Sequence, residues 1–431
     1  MKILKILFLS FLFIGINACS SDEDEDSTAV ASITLTPSTT TQMIGEPVTF
    51  VVTTDTGENV TAGSALSAGN TSITGATFTS QTTGPVVVTA TYLGATATTT
   101  VTFTDIPPTS ITLTASANAQ AINESIIFKV VTNTGIDVTS TSVITAGSST
   151  VNGDRFTSTT VGTFDVSATY GNLTSENITI TFGQPISFTK RVLIEDYTGT
   201  WCGWCPRVSY GIELVQNATD KAVVVAIHRV STNPTSGAYD PYSYNANSLE
   251  SLINLQGYPT AKLNRLTTWN SPEPNNINQV VGLTNGETPK VGISMTSSVS
   301  NGTINLAVNT KFGKGLNGSK LVVYVLENGL VHNQVNYTTY YGGTGGNSVI
   351  PNFVHDHVLR ASLTNLLGDA FSNEESAYNN VVTKSFNVSV PATVSNPNNL
   401  EFVAFVIGAD NKAINVRKSA PGENQTFEII E

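Results

Sequence analysis

The fold is decided by residues 191–206, which read RVLIEDYTGTWCGWCP. Residues 191–197 are mostly apolar and predict a buried strand. An apolar stripe at about four-residue spacing follows the second cysteine and predicts a helix; it consists of Val208, Ile212 and Val215. Cys202 and Cys205 therefore lie between the end of a strand and the start of a helix.

The alternation of strand and helix continues beyond this helix. Residues 222–227 form a continuous apolar run, which is typical of a buried parallel strand. Leu249, Leu252 and Ile253 predict one face of a second helix, and residues 257–263 predict a further strand. Residues 186–284 therefore predict a layered α/β domain built on a β-α-β unit.

The position of the cysteines indicates thiol chemistry. Cys202 precedes the helix, where unpaired N–H groups and the helix dipole favour a thiolate. Cys205 lies three residues on and can reach the same sulfur. Cys202 is thus predicted to attack a substrate disulfide and Cys205 to resolve the mixed disulfide. Pro206 costs little in the first helical turn.

Residues 186–284 resemble the thioredoxin family, in which a Trp-Cys-x-x-Cys run follows an apolar strand. The resemblance implies that Asp196, six positions before Cys202, assists proton transfer at Cys205, and that Pro259 is a cis-proline facing the cysteines. No cofactor is implied. The residues expected to contact a substrate are Trp201, Gly203, Trp204, Tyr258, Pro259 and Thr260. Gly203-Trp204 departs from the Gly-Pro dipeptide of thioredoxin, which puts the redox direction in doubt.

Other interpretations of these residues stay open. The cysteines could bind a metal ion, but two thiolates alone do not complete a tetrahedral zinc site. They could also form an inert structural disulfide, but a disulfide that closes so short a loop stabilises a fold poorly. Trp201 and Trp204 form either a docking rim or a plain cover over the site. Asp196 is alternatively an ordinary strand-end acid, and His228 is interpreted as a core residue rather than a base.

The first 31 residues are expected to form a targeting signal followed by an acidic tether. Residues 1–18 carry two lysines and a short apolar run, which is typical of a signal peptide. Residues 16–19, INAC, resemble the lipobox of bacterial lipoproteins, so Cys19 is expected to carry the lipid anchor. The acidic residues in 19–31 resemble the lipoprotein export signal of Bacteroidetes and imply an outer membrane anchor facing the exterior. Ordinary secretion and a periplasm-facing anchor are the alternatives.

Residues 32–105 and 109–183 form an internal repeat. Ser32-Ile-Thr-Leu-Thr36 recurs at Ser110-Ile-Thr-Leu-Thr114, an offset of 110 − 32 = 78 residues. Alternating apolar residues in both copies predict antiparallel β-sandwiches. The repeats resemble bacterial immunoglobulin-like domains and are expected to be stalks, or alternatively to bind a glycan or a protein through their loops.

The last part of the chain, residues 287–431, alternates again and predicts a C-terminal β-sandwich. Tyr337, Tyr340 and Tyr341 stand beside several glycines and suggest an ordered loop with an aromatic surface. His355 and His357 would share one face of a strand, but no third ligand is evident, so no metal is predicted. Together with residues 186–284, this region resembles the Omp28-related outer membrane proteins of Bacteroidetes.

The net charge of the chain limits the classes of partner that it can bind. The formal net charge of −12 argues against a nucleic-acid partner. We expect a multidomain, surface-tethered thiol–disulfide oxidoreductase whose partners are protein or peptide thiols and disulfides. Because no electron supply is evident outside the cell, oxidation or isomerisation is easier to sustain there than reduction. The alternative is a surface binding or adhesion lipoprotein whose C-x-x-C does not cycle. Substrate and oligomeric state are not predicted.

Overall fold

A computed structural model describes residues 30–229, 231–346 and 348–430. The expected signal peptide and Cys19 lie outside the described residues, as does most of the acidic tether. The chain forms two compact units, Met1–Pro108 and Thr109–Glu431. Their boundary falls at the Ile106-Pro107-Pro108 segment, which joins the two sequence repeats.

The first repeat is a sandwich of two sheets. One sheet has the order β1-β3-β6 and the other β2-β8-β7-β4-β5. Val48, Phe50 and Val52 of β3 are buried between the sheets, as their alternation predicts. The strands are β1 (Ile33–Pro37), β2 (Thr41–Met43), β3 (Pro47–Thr54), β4 (Ala65–Ala68), β5 (Thr71–Ile73), β6 (Thr77–Thr79), β7 (Gly84–Tyr92) and β8 (Ala95–Thr104).

The second repeat has the same two-sheet plan. Its sheets have the orders β14-β11-β9 and β10-β17-β15-β12-β13, with β16 paired to β15. The strands are β9 (Ile111–Ala115), β10 (Ala119–Ala121), β11 (Ser125–Thr132), β12 (Val143–Ala146), β13 (Ser149–Thr150), β14 (Arg155–Thr157), β15 (Gly162–Tyr170), β16 (Leu173–Thr174) and β17 (Ile178–Gly183). The β-sandwich prediction is therefore confirmed for both repeats.

The second repeat is joined to the rest of its unit by polar contacts. Lys314 Nζ lies 3.0 Å from Glu124 Oε1, and the Gly315 N–H donates to Gln120 Oε1 at 2.9 Å. The Tyr378 hydroxyl donates to the carbonyl of Gln184 at 2.8 Å. These contacts place the repeat in the same compact unit as the region that carries the cysteines.

The remaining residues build one large sheet and several smaller ones. The large sheet has the order β22-β21-β19-β20-β28-β25-β31-β32, with β29 paired to β25. The elements are β18 (Ser187–Phe188), β19 (Val192–Thr198), α1 (Pro206–Ala218), β20 (Ala222–His228), α2 (Asn247–Leu252), β21 (Thr260–Leu263), β22 (Thr267–Thr268), α3 (Ile277–Leu283), β23 (Val291–Ser300), β24 (Thr303–Phe312), β25 (Lys320–Glu327), β26 (Leu330–Asn336), β27 (Ser348–His355), β28 (Val358–Ser362), β29 (Asp369–Ala370), β30 (Val381–Ser389), β31 (Leu400–Ile407), β32 (Ala413–Ser419) and β33 (Ile429–Ile430). Short 3-10 helices lie at Thr61–Gly63, Thr139–Thr141, Glu273–Asn275, Tyr340–Gly342 and Pro397–Asn399.

The large sheet crosses the boundary expected between 186–284 and 287–431. Strand β20 pairs in parallel with β28, and the Ala226 N–H donates to the carbonyl of His357 at 2.8 Å. The sheet also curls back on itself, since the N–H of Ala413, the first residue of β32, donates to the carbonyl of Asn264 at 3.1 Å. The two expected domains therefore share one sheet, because edge strands of both regions satisfy each other's backbone groups.

Helices and a second sheet cover the large sheet. Helices α1 and α3 pack on β19, β20 and β21 through a cluster that includes Val208, Val215 and Val280. The three-stranded sheet β23-β24-β30 packs on β25 and β31, and Leu306 and Phe402 belong to the shared core. The two sheets of the expected C-terminal sandwich do pack on each other. One of them, however, is the large sheet that also contains β19 and β20.

A buried ion pair lies inside the curled sheet. Arg265 and Glu195 are both fully buried, and Arg265 Nη2 lies 3.3 Å from Glu195 Oε1. The same nitrogen donates to the Tyr324 hydroxyl at 2.7 Å and to the carbonyl of Leu366 at 3.0 Å. Burial opposes the charge of Arg265, but the Glu195 carboxylate raises its pKa overall. These contacts connect β19 to β25 inside the sheet.

We predict that Arg265→Met lowers the free energy of unfolding of the second unit by about 3–5 kcal/mol, because Glu195 then stays buried without its partner. Tryptophan fluorescence during denaturant unfolding measures this, since Trp201, Trp204 and Trp269 all lie in this unit. Arg155→Met is the control, because Arg155 forms only an exposed pair with Asp154.

Adding Glu195→Gln to Arg265→Met should recover part of the lost stability, because the double variant buries no unpaired charge. A double variant as unstable as the sum of the two single variants would contradict the importance of this pair.

Candidate functional site

The cysteines lie in a short loop between β19 and α1, which we call the cysteine loop (residues 199–205). They form a disulfide with a Cα–Cα distance of 5.4 Å. Cys205 occupies the N-cap of α1 and Pro206 its first turn. Cys202 is only 4% exposed and Cys205 only 1% exposed. The structure thus places both cysteines at a helix N-terminus, but beneath the surface.

Asp196 lies on β19, three residues before the cysteine loop begins. It is 3% exposed, and its Oδ1 has no hydrogen-bond partner among the described residues. Burial, together with the nearby carboxylate of Glu273, raises its pKa well above the usual range. Glu273 is itself held by Arg207, whose Nε donates to Glu273 Oε2 at 2.5 Å. Asp196 therefore holds its proton to a higher pH than an exposed aspartate does.

The insertion after β20 holds the cysteine loop from one side. Asp240 Oδ2 accepts the Thr200 N–H and contacts His228 Nδ1, both at 2.9 Å. The indole N–H of Trp201 donates to the carbonyl of Arg229 at 2.8 Å. His228 thus positions Asp240. The sequence indicated the insertion but not Asp240, because nothing in the local pattern marks this aspartate.

The residues around Pro259 lie beside Trp201. The Tyr258–Pro259 peptide bond is cis, and the ring of Tyr258 meets the Trp201 ring edge-to-face at 5.6 Å. The Tyr258 hydroxyl donates to Glu250 Oε1 at 2.9 Å; partial burial and Glu250 raise its pKa to about 12. Thr260 begins β21, and its hydroxyl donates to the carbonyl of Gly257 at 2.7 Å. A substrate role for these residues stays a prediction.

The β26–β27 hairpin covers the cysteine loop from another side. The Tyr337 N–H donates to the carbonyl of Gly203 at 2.7 Å, and the Val335 N–H donates to that of Thr200 at 2.9 Å. A Cβ atom on Gly203 would lie 2.5 Å from the Tyr337 ring. The ring of Trp204 is 52% exposed and meets Tyr337 edge-to-face at 6.1 Å. The aromatic loop noticed in the sequence therefore adjoins the cysteines.

A polar cavity of about 100 Å³ lies along α1. Such a volume is large enough for several water molecules. Its wall includes Asp196, Glu213, His228, Gln334 and His355. Asp196 is thus connected to further polar groups, and these come from both of the regions that the sequence predicted as separate domains.

His355 and His357 do not share a strand face as expected. Strand β27 ends at His355, and His357 lies in the following turn with a φ of 59°. His357 Nδ1 contacts Glu401 Oε1 at 2.9 Å. Burial and the neighbouring His228 lower the pKa of His355 to about 3. Within the described part of the chain, no group of three or more potential ligands could hold a metal ion.

Residues 246–425 match the model of a known family. That family is the outer membrane protein Omp28. The match contains Pro259, Gln334 and Tyr337 but begins after the cysteines, so it is shorter than the expected 186–431. No helix of the described residues has the length and apolar character needed to cross a membrane. No curated protein matches the chain.

Several solved structures are similar to the chain at low identity. HBP35 of Porphyromonas gingivalis is 18% identical with a TM-score of 0.41, and the alignment covers 56% of this chain and 77% of that chain. Domains 4–9 of the surface layer protein SbsC are 12% identical with a TM-score of 0.15, and the coverage is 90% and 64%. These TM-scores are too low to assign a function.

We predict that Asp196→Asn stabilises the protein increasingly as the pH rises above 3.8, the ordinary aspartate value. In the unfolded chain Asp196 ionises near that pH, but in the folded protein it keeps its proton to a higher pH, so folding is penalised as the pH rises between the two pKa values. Asparagine is neutral in both states and removes this penalty. Denaturant unfolding from pH 4 to pH 8, followed by tryptophan fluorescence, measures the difference.

The control for this prediction is Asp220→Asn, which changes an exposed aspartate just beyond α1. Its stability curve should run parallel to that of the unchanged protein. Parallel curves for Asp196→Asn as well would show that Asp196 ionises normally in the folded protein.

Proposed function

We propose that this protein is a thiol–disulfide oxidoreductase that acts on protein or peptide disulfides through Cys202 and Cys205. The observation that carries the proposal is the disulfide at the N-terminus of α1, preceded on β19 by the buried Asp196, whose pKa is raised well above the usual range. A helix N-terminus stabilises a thiolate, and a buried acid supplies or accepts the proton that exchange requires. Thioredoxin-like proteins combine the same elements.

The chemistry balances without a cofactor. In the reduced protein, the Cys202 thiolate attacks a substrate disulfide, one substrate sulfur leaves as a thiolate, and a mixed disulfide forms. Cys205 then loses its proton to water, with Asp196 as the relay, and its thiolate attacks the Cys202 sulfur, which releases the second substrate sulfur as a thiolate. The substrate disulfide is reduced to two thiols, and the Cys202 and Cys205 thiols are oxidised to a disulfide. The reverse sequence oxidises a substrate dithiol.

The strand arrangement supports the proposal. Strand β19 pairs in parallel with β20 and antiparallel with β21, and β21 pairs with β22. Helices α1 and α3 pack on one face of these strands, whereas Leu249 of α2 belongs to the core on the other face. These layers support the proposal, because the thioredoxin resemblance implies a layered α/β unit. The sheet extends on the β20 side through β28, β25, β31 and β32.

One observation favours a second candidate, a surface binding lipoprotein whose disulfide does not cycle. Cys202 is 4% exposed beneath the β26–β27 hairpin, so a protein substrate does not reach its sulfur in this conformation. The second candidate requires that ligand binding survives replacement of both cysteines by serine. Loss of ligand binding in that double variant would exclude this second candidate function.

We further propose that Cys19 anchors the protein in the outer membrane, with the two sandwich repeats and the cysteine-bearing region facing the exterior. The Omp28 match supports an outer membrane location. The acidic segment after Cys19, with Asp22, Glu23, Asp24, Glu25 and Asp26, supports the outward orientation. Two or more acyl chains on one cysteine would hold the protein firmly, since a single chain binds reversibly.

We predict that Cys202→Ser reduces disulfide exchange, measured with a scrambled protein substrate, to the rate without added protein. Cys205→Ser should keep the attack but lose resolution, so it should accumulate mixed disulfides that a reductant releases. Full activity of Cys202→Ser would contradict the assignment of the attacking sulfur.

The redox direction follows from equilibration of the Cys202–Cys205 pair with glutathione buffers. A potential of roughly −120 to −180 mV indicates disulfide formation or shuffling. A potential of about −270 mV or lower indicates a reductase or a bridge that does not cycle. If the potential is that low and the protein has no exchange activity, the surface binding function is favoured over the oxidoreductase function.

We predict that Cys19→Ala moves the protein from the detergent phase to the aqueous phase in a Triton X-114 partition, because the lipid attachment site is lost. Protease treatment of intact cells tests the orientation of the unchanged protein. Rapid digestion is expected, whereas full resistance would contradict exposure at the cell surface.

A further inference from the structure

The β26–β27 hairpin is an excursion from the large sheet. Strands β25 and β28 are neighbours in that sheet, and Glu327 pairs with Val358 at their common end. The chain leaves the sheet after Glu327 and returns at Val358. Strands β26 and β27 pair with each other in a sheet of their own. An isolated two-stranded hairpin is marginally stable, so its position depends on what it contacts.

The base of the hairpin is narrow. The Gly329 N–H donates to Asp356 Oδ1 at 2.7 Å, and the His357 N–H donates to Asn328 Oδ1 at 2.8 Å. Gly329 and His357 have φ values of 69° and 59°, so the chain changes direction at both residues. A rotation here would leave the pairing between β25 and β28 intact, but it would open the hydrogen bonds from the Tyr242 hydroxyl to the Val331 carbonyl at 3.0 Å and from the Tyr341 hydroxyl to Glu213 Oε1 at 2.7 Å.

The inner edge of the hairpin pairs with the cysteine loop as an extended strand would. Val335 and Tyr337 are two residues apart, and their N–H groups donate to the carbonyls of Thr200 and Gly203. A register shift between His332 and Gln334 marks a β-bulge, and bulges redirect side chains. The Gln334 amide donates to the carbonyls of Gly199 at 3.2 Å and Cys202 at 3.0 Å.

Tyr337 fills the space directly above the loop. Its ring lies where a Cβ on residue 203 would be, at 2.5 Å, so only glycine at this position allows the contact. Trp204 packs against the same ring. Together these contacts bury Cys202, although the loop carbonyls that receive the hairpin would accept any extended peptide with N–H groups at the same spacing.

We propose that the β26–β27 hairpin is a hinged cover that occupies the edge of the cysteine loop where an extended peptide substrate docks. The substrate class is thus an unfolded or extended segment beside a cysteine, which displaces the hairpin and pairs with the carbonyls of Thr200 and Gly203. This inference rests on the proposed oxidoreductase function, but the cover itself is testable without activity.

The test is the rate at which a small reductant, tris(2-carboxyethyl)phosphine, reduces the Cys202–Cys205 bond in the full chain, followed by maleimide labelling. Gln334→Ala and Tyr337→Ala should each raise this rate about tenfold, because each removes contacts that hold the hairpin closed. Val349→Ala is the matched control: Val349 lies on the same hairpin, opposite Val335, and is 55% exposed. Its rate should equal that of the unchanged protein.

A change on the other side of the contact tests the same cover. Gly203→Ala places a Cβ against the Tyr337 ring and should expel the hairpin, so it should also raise the reduction rate. Combining Gly203→Ala with Tyr337→Ala should be no faster than the faster single variant, since both open one hairpin. If Tyr337→Ala does not fold, Gly203→Ala and the amide exchange of Val335 and Tyr337 carry the test.

The outcomes separate the cover from the function. Equal reduction rates in all folded variants, with Val335 and Tyr337 amides that exchange only on global unfolding, would overturn the cover. Faster reduction without any disulfide exchange by the same variants would support the cover and contradict the oxidoreductase function. Disulfide exchange by the unchanged protein, together with equal reduction rates in all variants, would support the oxidoreductase function and contradict the cover. Inhibition of reduction by an extended cysteine-free peptide in Tyr337→Ala, but not in the unchanged protein, would support the docking edge.

Discussion

The buried pair of Glu195 and Arg265 is the interaction on which the rest of the second unit depends. It lies inside the curled sheet and joins β19 to Tyr324 of β25. Because side chains alternate along a strand, Asp196 then lies on the opposite face, where it lines the same cavity as Ser209 and Glu213 of α1. A slip of one residue would exchange the two acids. The register of β19 therefore determines which of the two acids lies on the side of α1.

The cysteine loop is held from three directions, and each comes from a different part of the chain. Strand β19 leads into it, Asp240 of the insertion accepts the Thr200 N–H, and Gln334 of the hairpin donates to the Cys202 carbonyl. These contacts keep the loop rigid, and they also bury the disulfide. Rigid positioning suits thiol exchange, whereas burial opposes it. A movable hairpin reconciles the two, since it lies outside the large sheet.

Local pattern predicted much of this structure. Alternation predicted the strands of both sandwiches, and the stripe of Val208, Ile212 and Val215 predicted the buried face of α1. The motif placed Cys202 and Cys205 at a helix N-terminus, where the structure has them. Asp240, Gln334 and the pairing of β20 with β28 were missed. Each depends on residues far apart in sequence, and a single aspartate or glutamine carries no periodic signal.

The sequence by itself determined the repeats and the cysteine motif at the start of a helix, because spacing along the chain sets which residues share a face. Only the tertiary structure decided that the two expected C-terminal regions share one sheet, and that a hairpin from one covers the disulfide of the other. The physical reason is that the backbone groups of a strand edge pair with any edge that the fold brings near. Composition does not encode that choice, since Ala226 and Val358 are ordinary buried apolar residues that happen to meet.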